Sequence, residues 1–352
     1  MARLAEPTAP PRPALYVFGW PSHVGGADTR LVNTLPLWSE IADVTVVPNE
    51  PCRLSEQAWR DWLASRGAVA RPWSELPARL TGFGLAMSNQ RFFVDRLAHQ
   101  AKERGLHVIW SSEMMWHHAG ELEAVRDAVV DTVLYTSETN RAALEPGYLA
   151  LGRMPAAVVV ENYVDPDAFP FRTRAAGKAF TIGRLSRADP LKYPEDFPTF
   201  YELLGLRRPR YRVMAWDARL AHKYRWHPFG PEWELLAANA QPAAEFLASL
   251  DAFVYPLGHD FRESWGRAVV EAMLTGLPVV VPAGRHHFTT YLRNGETGFL
   301  CRDHADFAAA CAGLEAEPDL RAKIGHAAHR FARDVLCDRA AHLRRWREVL
   351  GA

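Results

Sequence analysis

Short apolar runs recur along this chain, and most are followed by a longer stretch of helical pattern; that alternation limits what the chain can fold into. ALYVFGW (14–20), DVTVVP (43–48), GFGLAM (82–87), HVIWSS (107–112) and TVLYTS (132–137) have strand length and strand composition. Among the segments between them, ADTRLVNTLPLWSEI (27–41) reads as a helix disturbed by Pro36, and NQRFFVDRLAHQAKERG (89–105) as a helix closed by Gly105. The pattern restarts beyond residue 170. AFTIGRL (179–185), YRVMAW (211–216), AFVYPL (252–257) and LPVVVPA (277–283) read as strands. PEDFPTFYELLGL (194–206), SWGRAVVEAMLTG (264–276), HADFAAACAGLEAE (304–317) and a last segment near 338–350 read as helices. Such alternation predicts parallel sheets covered by helices, one after the other.

A chain of 352 residues has the length for two domains, and 48% hydrophobic residues suffice for a core in each. The irregular stretch DAFPFRTRAAGKA marks the join. The expected organisation is a Pro-rich disordered leader (1–13), an N-terminal Rossmann-like domain (14–168), a linker (169–178), a C-terminal Rossmann-like domain (179–336) and a final helix (337–352). Lysine plus arginine number 41, as do aspartate plus glutamate, so nucleic-acid binding is not expected. The four cysteines form no C-x-x-C pair, which argues against a zinc or redox site. The leader has no apolar signal region and no run reaches the length of a membrane span, so a cytoplasmic protein is expected.

Ligands of doubly wound sheets bind beyond the carboxyl ends of the strands, so the strand-to-helix loops matter most. In GWPSHVGGADTR, Gly25 and Gly26 let the backbone approach a ligand, and the helix start offers amides to an anion, although many such turns use glycines merely to turn. In GRLSRADPLKYPED, Arg184 and Lys192 are cations suited to a diphosphate, or else solvated surface residues. In RESWGRAVVEAMLTGLPVVV, Ser264, Trp265 and Gly266 enter a helix and turn their amides to a cleft. Glu263 and Glu271 stand there among residues suited to burial. A carboxylate accepts two hydrogen bonds at once, which suits vicinal hydroxyls; the competing reading is a helix-terminal acid and a helix-edge glutamate.

These stretches together bring a family into view. ESWGRAVVEAMLTGLPVV resembles the signature of retaining glycosyltransferases of family 4, with its two glutamates separated by seven residues. YLRNGETGFLC, GGADTRL, VLYTSETNRAAL, VVVENYVDPDAF and TIGRLSRADPLKYPED resemble further segments of that family, in the same order over residues 14 to 301. The resemblance implies the GT-B fold: two facing Rossmann-like domains, the last helix crossing back to the first. It implies that Glu271 holds the ribose and Glu263 the sugar hydroxyls. Arg184 and Lys192 would bind the diphosphate, approached by Gly25 and Gly26. Amides of Ser264, Trp265 and Gly266 would line the donor site. A histidine of the first domain is implied too, His117 in preference to His118. Arg184 and Lys192 are eight positions apart where the family more often has five, so Arg187 is an alternative partner.

The implied reaction is transfer from a nucleoside-diphosphate sugar to a saccharide, lipid-linked or small-molecule acceptor. It proceeds with retention and without metal or other cofactor, the leaving diphosphate serving as base. Glu263 as a covalent nucleophile is the second mechanism. An epimerase or a non-catalytic sugar-nucleotide binder of the same fold is the alternative function. Asp165–Pro166–Asp167 matches a D-x-D metal pattern but reads as a turn at the domain junction. The histidine pairs 117–118 and 286–287 read as isolated, and neither H-E-x-x-H nor G-x-S-x-G occurs. The helix from Asn89 carries Phe92, Phe93, Arg91, Arg96, Lys102 and Arg104, a composition that would allow peripheral membrane contact through the N-terminal domain; packing on the sheet is the preferred reading.

Overall fold

Strands with apolar residues on both faces need helices above and below them, and the chain builds two such sheets. The structure, a computed structural model, describes residues 12–23, 26–173, 177 and 179–352. The expected leader lies outside these residues but for Arg12 and Pro13, as does Gly25. The first sheet holds β1 (Ala14–Phe18), β2 (Asp43–Val47), β3 (Val69–Ala70), β4 (Phe83–Met87), β5 (His107–Ser112), β6 (Thr132–Tyr135) and β7 (Ala156–Val159), in the order β3-β2-β1-β4-β5-β6-β7. The second holds β8 (Phe180–Leu185), β9 (Pro209–Met214), β10 (Trp233–Leu236), β11 (Ala252–Val254), β12 (Val279–Pro282) and β13 (Phe299–Cys301), in the order β10-β9-β8-β11-β12-β13. Neighbouring strands within both sheets are parallel. Each sheet reverses its winding next to its first strand, between β1 and β4 and between β8 and β11.

Register sorts side chains between two cores. Leu15 lies opposite Val44 and Phe83, and Val17 opposite Val46 and Leu85. Leu15, Val17, Val44, Val46 and Leu85 share one core, whereas Phe18, Ala86, Val108 and Trp110 enter the core on the other face. The first of these cores runs on through the seam between the sheets. It joins Leu31, Leu35 and Trp38 to Trp265, Val269, Met273 and Leu277, and to Trp346 and Leu350 of the helix Arg339–Leu350. Trp346 meets Trp38 edge-on at 5.1 Å, and Arg339 pairs with Glu40. Between the sheets, Phe171 stacks on His326 at 4.5 Å, and the Arg172 amide donates to the Thr275 carbonyl at 3.2 Å.

Several elements differ from their expected bounds. The helix expected over 89–105 is two short ones, Arg91–Val94 and Leu97–Glu103, because Arg96 takes a left-handed φ of 56°. Phe92 and Phe93 are buried in the core there, so their rings present no apolar face to a membrane. Among the described residues no helix is long and apolar enough to cross one. The helix Gly26–Ile41 runs unbroken through Pro36. The helix expected over 194–206 is only Phe197–Glu202. The stretch YLRNGETGFLC, read as a turn, includes β13, and a further helix, Pro318–Phe331, follows the one at His304–Ala316. Asp165 caps a short turn by accepting the Asp167 amide at 3.1 Å.

Candidate functional site

At a reversal in strand order the two adjacent loops part in opposite directions and leave a crevice. In the second sheet the loops concerned follow β8 and β11, and they carry Lys192 and Glu263. The first loop closes through a tight turn, Pro190–Lys192, capped by Asp189, which accepts the Leu191 amide at 3.1 Å. Lys223 pins it from below, donating to the carbonyls of Pro190 (2.8 Å) and Tyr193 (2.7 Å). Lys192 reaches across to Glu263, with Nζ 3.2 Å and 3.1 Å from the two carboxylate oxygens. Tyr255 donates its hydroxyl to the same carboxylate at 3.1 Å. Burial, with the Glu263 charge added, holds the Tyr255 hydroxyl far above its usual range, so it stays a donor.

Arg184 lies beneath this pair. It is fully buried, contrary to the expectation of a cation facing a diphosphate. Its guanidinium stacks between Tyr193 (3.8 Å to the ring centre) and Tyr255 (4.4 Å). It donates to the Pro256 carbonyl at 2.7 Å and to Ser186 Oγ at 3.1 Å, while Nε has no partner. Arg184 thus ties the loop after β8 to the loop after β11. Among the described residues its charge has no carboxylate partner and is compensated by aromatic faces and carbonyls. Arg187 points elsewhere, pairing with Asp189 at 3.2 Å.

Downstream of Glu263 the chain turns into the helix Arg267–Leu274 through Gly266, whose φ is +87°. A Cβ at that position would lie 3.0 Å from Phe288 Cδ1, so both conformation and space call for glycine. Among the described residues no acceptor takes the amides of Ser264, Trp265 or Gly266, which leaves three backbone donors directly after Glu263 in the chain. The Trp265 side chain itself is in the core. Glu271 lies on the buried side of the helix and is held by Arg267, whose Nε donates to Oε1 at 2.6 Å. Arg267 Nη1 has no partner.

The first domain approaches this surface with Arg30 of the helix Gly26–Ile41 and Glu113 of the loop after β5. Arg30 is buried, bonded to Ser111 Oγ (2.7 Å), Glu113 (3.2 Å) and the Val160 carbonyl (2.9 Å). Arg267 adds its field to both Arg30 and Glu113, which places the two charged pairs within electrostatic reach across the seam. Burial raises the Glu113 carboxyl despite Arg30. Burial, then Glu113, pushes Asp28 up to about 6 against the opposing Arg53. Direct bonds also cross the seam: Ser137 Oγ donates to the Ser264 carbonyl at 2.6 Å, and His287 lies 3.4 Å from Thr139 Oγ1 and 3.5 Å from Glu161.

Residues 210–331 match the model of the family described as Glycosyl transferases group 1. No curated protein matches the sequence. Among solved structures, Anabaena Alr3699/HepE in complex with UDP and glucose superposes with a TM-score of 0.74 at 14% identity, covering 97% of this chain and 100% of that one. A glycosyltransferase from Rickettsia africae gives a TM-score of 0.74 at 11% identity, covering 96% and 98%. Sucrose-phosphate synthase from Thermosynechococcus elongatus gives 0.68 at 13% identity, again covering 96% and 98%. The fold is GT-B.

Of the expected residues, the structure pairs Lys192 with Glu263, sets Arg184 beneath them and carries Ser264, Gly266 and Glu271 along the chain into the helix that follows. His117 is not brought to this pair. That ring packs on Tyr148 at 4.8 Å, bonds to Glu121 at 3.1 Å and abuts Gly147. Gly147 lies ten residues past Ser137, the seam-crossing residue that caps the same helix, which is about 15 Å along its axis. His118 is turned onto Trp110, and burial lowers its tendency to protonate. The second pair lies beside the cleft instead: His286 Nδ1 accepts the Glu263 amide at 3.3 Å, and the His287 amide donates to the Glu263 carbonyl at 3.1 Å. Reading by sequence passed over this pair because adjacent histidines have no ligand spacing. It also passed over Arg267, although its position four residues before Glu271 is a helical ion-pair spacing.

Proposed function

We propose that this chain is a glycosyltransferase that moves a sugar from a nucleoside-diphosphate sugar to an acceptor hydroxyl, with retention of configuration and without metal. The observation that carries this reading is the Lys192–Glu263 pair, followed along the chain by three amides without an acceptor among the described residues, at the strand-order reversal of the domain that matches group 1 glycosyl transferases. Lys192 and the amides would receive the diphosphate, whose charge grows as the bond from the anomeric carbon to phosphate breaks. The new bond from the acceptor oxygen forms on the face the phosphate leaves, and the acceptor proton passes to a departing phosphate oxygen. Glu263 would then hold sugar hydroxyls and Glu271 the ribose. Arg184 contributes its field and the shape of both loops rather than a contact. Gly26 stands at the helix start from which a backbone amide could meet the diphosphate.

Uridine is the first base to try, because Alr3699/HepE was solved with UDP. The acceptor is a saccharide, a lipid-linked saccharide or a small molecule, entering from the first domain. The test is the thermal midpoint of the protein against nucleoside diphosphates and their sugars, in chelator. A ligand at one hundred times its Kd adds about 2.7 kcal/mol. A shift with one nucleotide, lost in Glu271→Ala, supports the donor site. No shift with any nucleotide, with or without divalent metal, removes it. Release of nucleotide on adding an acceptor, with the product anomer read by NMR, separates transfer with retention from epimerisation and from binding alone.

A further inference from the structure

The His286 ring is bonded to the Glu263 backbone, and its two nitrogens have different fates. Nδ1 accepts the Glu263 amide at 3.3 Å, which fixes the proton on Nε2 in the neutral ring. Nε2 has no partner among the described residues and is not sealed from solvent, although the residue as a whole is only 7% exposed. The ring is held flat on Phe288, with centroids 5.0 Å apart and planes 18° apart. The return bond from the His287 amide to the Glu263 carbonyl, 3.1 Å, stitches the two loops together. Burial lowers the ring to about 4, so at neutral pH it is an uncharged, oriented donor.

A neutral donor suits a hydroxyl or ring oxygen, and Lys192 with the amides after Glu263 already provides for the diphosphate. We infer that His286 is a specificity residue whose Nε2–H donates to an oxygen of the sugar being transferred. This rests on the donor-site reading above. A sugar lacking that oxygen would leave a buried donor unpaired, so the site favours a fully hydroxylated hexose over its deoxy analogue.

The test uses His286→Asn and His286→Gln in the full chain, titrated with UDP and UDP-glucose, or with whichever nucleotide and sugar conjugate bind the wild type. Asparagine offers its carbonyl oxygen in place of Nδ1 and keeps the Glu263 amide satisfied. Glutamine offers an N–H in place of Nε2. UDP affinity should stay within about twofold in both variants, which also reports that the site is folded. UDP-glucose should weaken about tenfold in His286→Asn and recover most of that in His286→Gln, the scale of one lost hydrogen bond. Equal weakening of UDP and UDP-glucose, or no change in either, overturns the inference while leaving the donor site standing. A wild type that binds no nucleotide sugar removes the donor site and this inference together.

Discussion

Asp28 in the first domain and His286 in the second are both pushed toward their neutral forms by burial, with opposite consequences for stability. Asp28 titrates at about 6 in the fold against 3.8 in the reference state, so the folded protein keeps a proton that the unfolded chain releases. Its contribution is most favourable below pH 3.8 and is lost as pH rises to 6. Asp28→Asn should therefore raise stability at pH 7.5 by about 1–2 kcal/mol, after discounting for partial exposure, and by nothing at pH 4; melts at the two pH values measure it. His286 runs the other way. The unfolded chain takes up a proton near 6.5 that the folded ring accepts only near 4, so stability is lost as pH falls through that window. In His286→Asn the acid limb should flatten between those limits, by up to about 3 kcal/mol. Arg267 and Glu271 make a third case. Arg267→Met would leave the Glu271 carboxylate buried without its cation, costing about 1–3 kcal/mol, and would free Oε1 to wander. The expected result is nucleotide affinity down about tenfold, read by titration with UDP. At this scale the sequence was partly legible. Acids and cations on loops beyond strands announced themselves, whereas burial did not, and neither the burial of Arg184 beneath the loops nor the packing of His286, rather than His117, against Glu263 can be read from spacing.

Elements were easier to read where their surroundings were uniform. Strands β1 and β4 are apolar on both faces because both are covered, so each appears in the sequence as an uninterrupted run. β3 and β10 lie at sheet edges, and β13, with three residues, closes the far edge of the second sheet. They are short, and nothing in a single sequence separates such pieces from loop. The break at Arg96 was hidden for a different reason: the apolar spacing of 89–105 continues across it, and only a backbone angle records the interruption. Gly266 shows the reverse, a local residue fixing an element boundary. Gly266→Ala would force a left-handed alanine against Phe288, costing about 1–2 kcal/mol for the conformation alone. Since the same turn presents the three amides and positions Glu263, the variant should lose UDP binding more than it loses stability. Calorimetric melts alongside UDP titration separate the two, and a variant that melts early but binds UDP normally would detach the turn from the site.

The whole molecule is joined by one apolar core that ignores the division into sheets. Trp346 is nearly fully buried in it, edge-on to Trp38. Trp346→Ala should cost about 3–5 kcal/mol, and the wild type should unfold in a single urea transition that Trp346→Ala shifts to lower concentration. Two well-separated transitions in the wild type would mean that the seam is weaker than its packing implies. The return of the helix Arg339–Leu350 onto the helix Gly26–Ile41 also bears on the order of assembly. During synthesis the first sheet emerges first, yet its outer helix layer stays incomplete until residue 350 has left the ribosome. The second sheet, by contrast, has all its strands by residue 301. The half of the protein made first is therefore the last to be finished, and until then the indole of Trp38 is a patch awaiting a partner about three hundred residues further along the chain.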